Sequence, residues 1–139
     1  MRYLSLFFLL LPFNTFSAVT PWTDFTLDNG HIFLPVSIEG IESRAVLDSG
    51  AQINSINQAF LGKHNLSLDT GRPVNIKGVY KVEKRRTYNN VKVDIFGTEF
   101  ELDSLVEISL GHHSNGMLLG AGFFTNFIVY NQMSCIFIS

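Results

Sequence analysis

Asp48, Ser49 and Gly50 are the residues of this chain whose types and spacing best fit a chemical role. A carboxylate can take up and release a proton, a neighbouring hydroxyl can form hydrogen bonds, and glycine permits a tight backbone turn. The apolar run at residues 45–47 precedes them and predicts a buried strand that ends at the carboxylate. A second apolar run ends in glycine at residues 118–120. This setting, more than the short triplet itself, favours acid–base chemistry.

Together the two segments resemble those of the retropepsin-like aspartic proteases. Residues 46–51 are similar to the active-site loop of that family, Gly40 to the turn of its preceding hairpin, and residues 118–124 to its second apolar segment. The resemblance covers residues 30–138. It implies an all-β fold, a small and partly closed β-barrel with one or two short helices. Ser49 stands where the retroviral members have threonine, and it keeps the hydroxyl group.

The resemblance also implies a role for each residue of the site. Asp48 would be catalytic, with Ser49, Gly50 and Ala51 completing the active-site loop; Gly78 and Tyr80 would lie in a flap over the substrate; and Leu118, Leu119 and Gly120 would form the second segment. For Tyr80, packing on the barrel surface is an equally open interpretation. The resemblance implies no metal and no cofactor.

Peptide hydrolysis of this type needs two carboxylates. One takes a proton from the attacking water while the other, protonated, polarises the scissile carbonyl. The chain has 139 residues, which is one domain and not two lobes. We therefore expect the second Asp48 to come from a second copy, in a homodimer with the active site on its twofold axis.

A second Asp-Thr-Gly triplet begins at Asp69, and it is a competing candidate. Only 20 residues separate Asp69 from Asp48, too few for a second half-barrel. Arg72 and Pro73 follow the triplet directly, which is typical of a turn. We predict that Asp69 lies in a surface turn and that Asp48 is catalytic.

Composition limits the other possible functions. A hydrophobic content of 46% with 13 phenylalanines predicts a folded chain, and a net charge of −2 gives no reason to expect nucleic acid as a partner. The basic residues at positions 81 and 84–86 are predicted to be a solvated loop tip.

Residues 1–18 are predicted to be an export signal, with Arg2 before a ten-residue apolar stretch that is too short to span a bilayer. The domain would then be residues 19–139, exported to the periplasm or outside the cell, without stable membrane insertion. Its single cysteine excludes an intrachain disulfide bond.

The hydrophobic pattern predicts many short strands. A turn is expected at Glu39-Gly40, and Asn57 is expected to cap a short helix that packs Phe60 and Leu61 inward. The predicted strands are residues 31–38, 43–47, 53–56, 74–76, 87–96, 100–102, 105–110, 117–119, 128–130 and 135–138, and the predicted helices are residues 58–64 and 121–127.

The sequence therefore predicts an exported aspartic endopeptidase that acts as a homodimer on extended polypeptide. Two alternatives remain open. The same domain could be catalytically silent and serve in peptide binding or dimerisation, because fold does not carry function by itself. The second alternative is a small exported β-barrel that carries a ligand and in which the Asp-Ser-Gly triplet is accidental. Residues 19–29 could act as a propeptide or could cover an edge of the barrel.

Overall fold

The structure, a computed structural model, describes residues 23–77, 82–130 and 135–138. Strands dominate it, and the all-β prediction is confirmed. The strands are β1 Thr23–Asp24, β2 Thr26–Asp28, β3 His31–Ile38, β4 Ile41–Asp48, β5 Ser55–Asn57, β6 Asp69–Thr70, β7 Val74–Lys77, β8 Val82–Arg85, β9 Thr87–Asn89, β10 Val91–Ile95, β11 Thr98–Leu102, β12 Leu105–Ile108, β13 Asn115–Gly120, β14 Phe127–Tyr130 and β15 Cys135–Ile138. The α-helix α1 is Gln58–His64, and a 3-10 helix is Ala121–Asn126.

Most of the strands form one large sheet. Its order is β11-β10-β3-β4-β13-β5-β12-β9-β6, with β2 also paired to β3. Neighbouring strands are mostly antiparallel, but β13 runs parallel to β4 and β12 runs parallel to β5. In the described residues β7 pairs with β8 alone, and β1, β15 and β14 form a separate sheet. The described part of the chain is thus an all-β fold with one large sheet and one short α-helix.

The large sheet curls around one hydrophobic core. Ile38, Ile56, Val93, Leu105 and Leu119 come from five strands spread across the sheet, and all five are fully buried in the same cluster. Residues so far apart in strand order can share a core only if the sheet bends over it. The end strands β11 and β6 do not pair with each other, so the sheet is partly closed, as the sequence predicted.

The β3–β4 hairpin forms where the sequence predicted it. Glu39 and Gly40 have φ angles of 51° and 77°, the left-handed conformation that a two-residue hairpin turn requires. Two hydrogen bonds with Lys92 stabilise this conformation at Glu39. The Glu39 amide donates to the Lys92 carbonyl at 2.8 Å, and the Lys92 amide donates to Glu39 Oε1 at 2.8 Å. The turn therefore fixes the start of the strand that ends at Asp48.

Helix α1 begins at the predicted residue and packs the predicted face. Its Asn57 cap is fully buried, and Phe60 and Leu61 point into the core. Asn57 Oδ1 accepts from the amides of Ala59 and Leu110, both at 3.1 Å. Its Nδ2 donates to the carbonyls of His112 and Asn115 at 3.1 Å and 2.7 Å. One side chain thus joins the helix to the loop before β13. Within the described ranges no helix has the length and apolar character needed to cross a membrane.

Three local predictions are corrected. The predicted strand 87–96 is two strands, because Asn90 has a φ of 55° and interrupts the pairing. Of the predicted basic loop tip, Lys84 and Arg85 lie in strand β8, where Arg85 is half-buried and pairs with Glu83; Arg86 follows the strand, and Lys81 lies outside the described residues. The second predicted helix is a 3-10 helix at nearly the predicted position.

The segment that precedes β3 also pairs with the rest of the protein. β1 pairs with β15 and β2 pairs with β3, so the described part of this segment covers strand edges.

We expect Asn57→Ala to reduce the free energy of unfolding by about 3 kcal/mol, because it removes a helix cap and leaves buried backbone groups without partners. Asn75→Ala, at an exposed position in β7, is the matched control and should change it by less than about 0.5 kcal/mol. Urea denaturation followed by circular dichroism measures both. Equal effects of the two substitutions would contradict the role assigned to Asn57.

Candidate active site

Asp48 lies at the end of β4, directly opposite Gly120 at the end of β13. The same parallel register pairs Val46 with Leu118 and Leu47 with Leu119. The two sequence segments singled out above are therefore neighbouring strands in space. Both end at the same edge of the sheet, since parallel strands share their carboxyl ends.

The loop after Asp48 is held down onto the end of β13. The Ala51 amide donates to the Asp48 carbonyl at 3.1 Å, and the Ala121 amide donates to the Ala51 carbonyl at 2.6 Å. The Gly120 amide donates to Asn54 Oδ1 at 2.9 Å. The loop thus crosses over Gly120 and is bonded to the amides of Gly120 and of Ala121, the next residue.

Only glycine fits at position 120, because the backbone of the Asp48 loop lies too close for a Cβ atom. A Cβ atom at this position would lie 2.6 Å from the Ile53 carbonyl oxygen and 2.8 Å from the Ala51 carbonyl oxygen. Both obstacles are backbone atoms, which cannot turn away as a flexible side chain can. Any side chain at Gly120 would therefore push the Asp48 loop out of position.

The Asp48 carboxylate is exposed and is oriented by its own loop. Its Oδ1 accepts from the Gly50 amide at 2.9 Å, and a Cβ at Gly50 would lie 3.1 Å from the same oxygen. Ser49 is also exposed. A carboxylate with one backbone donor and open access can exchange a proton with a bound water, as general acid–base chemistry requires.

A concavity of about 230 Å³ opens beside the carboxylate. Its floor is apolar, formed by Phe33, Val46 and Leu118, and Leu110 also lines it. The polar groups on its wall are His31, Asn115 and Asp48. Among the described residues that line it, Asp48 is the only carboxylate. One chain thus presents an apolar surface next to a single acid.

Two larger concavities lie elsewhere on the molecule. One, of about 420 Å³, is lined by residues of β3, β4 and β10, and the other, of about 390 Å³, lies beside α1. In the second, the Tyr88 hydroxyl donates to Glu107 Oε2 at 2.5 Å. Burial, reinforced by that bond, raises the pKa of Tyr88 above its usual value. In this concavity Tyr88 interacts with Glu107 and Arg86, so we assign the concavity no chemical role.

The competing aspartate lies in β6, the strand at one end of the sheet, five positions from β4 in strand order. Asp69 is exposed in the two-residue strand β6 and not in a turn, which corrects that detail of the prediction. Its Oδ2 accepts from the Asn90 side-chain amide at 3.0 Å, and Gly71 packs tightly against Thr87 and Asn89. Asp69 thus has a structural partner in Asn90, and its strand β6 is far in strand order from the Asp48 loop.

The structure brings together most of the residues predicted for the site. Asp48, the loop residues and the segment ending at Gly120 form one cluster. Gly78 and Tyr80, predicted for the flap, lie outside the described residues; β7 and β8, which precede and follow them in the chain, pair antiparallel. Sequence reasoning missed Phe33 and Asn115 on the wall of the concavity. The period-two alternation of β3 could have identified Phe33, but Asn115 follows a loop whose path the sequence does not predict.

Comparisons with known proteins add little to this geometry. No protein-family model and no curated protein matches the chain. Among solved structures, the solution structure of the protease of simian foamy virus (mac) matches with a TM-score of 0.49 and 21% sequence identity. The match covers 66% of this chain and 90% of the viral protease. A similarity of this size carries no conclusion about activity, which has to be argued from the site.

We expect Gly120→Ala to reduce the free energy of unfolding by about 2 kcal/mol, because the added methyl group overlaps two backbone carbonyls. Gly122→Ala is the matched control, since its Cβ would meet only the Gln52 carbonyl, at 3.9 Å, and it should change stability by less than about 0.5 kcal/mol. Thermal and urea denaturation of the three proteins measure this. A neutral Gly120→Ala would show that the loop does not cross over residue 120 as described.

Proposed function

We propose that this protein is an aspartic endopeptidase that acts as a homodimer on extended polypeptide. The observation that carries the proposal is the placement of Asp48. It is an exposed carboxylate, oriented by the Gly50 amide and locked onto the end of β13, at the edge of an apolar concavity.

Hydrolysis by such a site proceeds through a water held between two carboxyl groups. One carboxylate takes a proton from the water as the water oxygen bonds to the peptide carbon. The other, protonated, donates a hydrogen bond to the carbonyl oxygen, on which negative charge develops. The carbon–nitrogen bond then breaks, and a carboxyl group supplies the proton that the departing amine takes.

The single carboxylate of the concavity supports the homodimer. Among the described residues that line the concavity Asp48 is the only acid, so in this proposal the second acid comes from a partner, and a twofold axis beside the loop would provide an identical one. Ser49 is exposed next to Asp48, and in the proposed dimer its hydroxyl would bond the facing loop. Two such carboxyls a few ångströms apart share one proton.

The substrate would lie as an extended strand, bound through main-chain hydrogen bonds. Phe33, Val46 and Leu118 favour an apolar side chain beside the scissile bond. We also propose that residues 1–18 are an export signal, so that the mature domain begins near residue 19 and works in the periplasm or outside the cell. No nucleic acid and no cofactor enters the proposal.

We expect Asp48→Asn to reduce kcat for peptide cleavage by at least about 10³-fold, because an amide can neither accept nor deliver the proton. Asp69→Asn, the matched control at an exposed site, should keep activity within about twofold. Incubation of the purified proteins with a diverse peptide mixture, read by mass spectrometry, measures both. Wild-type activity should pass through a maximum at acidic pH, because one carboxyl has to be protonated while the other is ionised.

The catalytically silent alternative gives a different result in the same experiment. A peptide-binding module would cleave nothing, and it would bind peptide equally well with or without the Asp48 carboxylate. Cleavage that survives Asp48→Asn would contradict the assignment of Asp48.

Mixing two forms of the protein tests the shared site. If each active site needs Asp48 from both chains, an equimolar mixture of wild type and Asp48→Asn that has exchanged subunits contains about one quarter wild-type dimers. Activity should then be about half of that expected from the same wild-type chains alone. Unchanged activity per wild-type chain after exchange would show that one chain forms a complete site.

A further inference from the structure

The strand that ends at Asp48 also carries Arg44 on the same face. Side chains alternate along a strand, so residues 44, 46 and 48 point to one side of the sheet. Val46 and Asp48 line the concavity, and so does Asn115, which is the register partner of Arg44 on β13. The face thus has a carboxylate at one end, an apolar floor, and a guanidinium at the other end.

Arg44 is held in place by neutral groups. Its Nη2 donates to Asn115 Oδ1 at 2.7 Å and to Ser114 Oγ at 3.3 Å. Its guanidinium carbon lies 4.6 Å from the centre of the Phe33 ring, in cation–π geometry. Its Nε is buried without a hydrogen-bond partner. The Phe33 ring and Asn115 themselves line the concavity.

The positive charge of Arg44 is not paired within the part of the chain that the structure describes. Glu42, two residues earlier on the same face, is exposed and forms no ion pair with it. A guanidinium presents five donors in a fork that matches a carboxylate. Here Nη2 has two neutral acceptors and Nε is buried, so Nη1 is the group left to bind a carboxylate, with no hydrogen-bond partner among the described residues. A positioned guanidinium with donors to spare is suited to bind a carboxylate from outside the chain.

We propose that Arg44 is a specificity-determining residue that binds an acidic side chain of the polypeptide substrate. The inference rests on the proposed function, since it takes the Asp48 concavity as the peptide site. Arg44 and Asp48 are four residues apart on an extended strand, so their backbones are about 13 Å apart. The guanidinium lies over the Phe33 ring, between them. The acidic residue therefore lies within about four positions of the scissile bond.

A binding experiment tests this without requiring cleavage. The probe is a set of nonapeptide mixtures of small and apolar residues, each with one fixed position occupied by glutamate or by the isosteric glutamine. The purified mature chain, residues 19–139, carries Asp48→Asn so that bound peptide stays intact, and mass spectrometry reads the enrichment. We expect glutamate to be enriched about tenfold over glutamine at one or two positions, because a charge-assisted hydrogen bond replaces a neutral one.

Variants of Arg44 show whether that preference belongs to the guanidinium. With Arg44→Gln in addition, the preference should fall to about one while binding of the glutamine peptides stays within about threefold. Arg72→Gln removes the same charge from an exposed position after the edge strand β6, and it should leave the preference unchanged. If Arg44 only held the loop before β13, Arg44→Gln would weaken both peptides equally, and the proposal would be overturned.

Two further outcomes are decisive. No glutamate preference at any position in the Asp48→Asn protein overturns the proposal even if wild type cleaves peptides. If wild type cleaves nothing but the preference appears and depends on Arg44, the protease proposal fails and the carboxylate site stands. Should Arg44→Gln not fold, the preference in the Asp48→Asn protein has to fall as ionic strength rises, and a preference insensitive to salt would count against Arg44.

Discussion

The parallel pairing of β4 with β13 is the interaction on which the site depends. It places Asp48 opposite Gly120 and lets the loop after Asp48 fold back over the end of the neighbouring strand. The loop is held there by the bond from the Ala121 amide to the Ala51 carbonyl and by the bond from the Gly120 amide to Asn54. Since Gly120 has no Cβ, the backbone of the loop can approach to a distance that any other residue would prevent.

This packing explains why the carboxylate can be exposed and still have a defined position. An exposed side chain on a free loop would sample many rotamers, and each fixed torsion costs entropy. Asp48 instead ends a strand paired on both sides, with His31–Ile38 on one and β13 on the other. The Gly50 amide then selects one orientation of its carboxyl group. The pairing of β4 in the sheet thus fixes the position of Asp48, and the loop fixes only the orientation of its carboxyl group.

The sequence predicts the strands near the site well because their signals are local. The β3–β4 hairpin, Asn57 as the helix cap, and the apolar runs that end at Asp48 and Gly120 all follow from short-range patterns. The interruption at Asn90 was missed, because its left-handed backbone depends on hydrogen bonds to Asp69 and Asp103, which lie far away in sequence. The roles of Arg44 and Asn115 were missed for the same reason. Each is defined by a partner about 70 residues away in the chain, and no local pattern encodes that register.

Both ends of the concavity are anchored to the same strand. At one end Gly120 fixes the loop of Asp48, and at the other Asn115 holds the guanidinium of Arg44. Asn57 extends this anchoring into the core, because its amide donates to the Asn115 carbonyl while its oxygen caps helix α1. The distance between carboxylate and guanidinium is therefore set by backbone register and not by loop conformation. In the function proposed above, these two charges on one strand would set how far from the scissile bond an acidic residue of an extended peptide binds, because the peptide's own residues repeat at nearly the same interval.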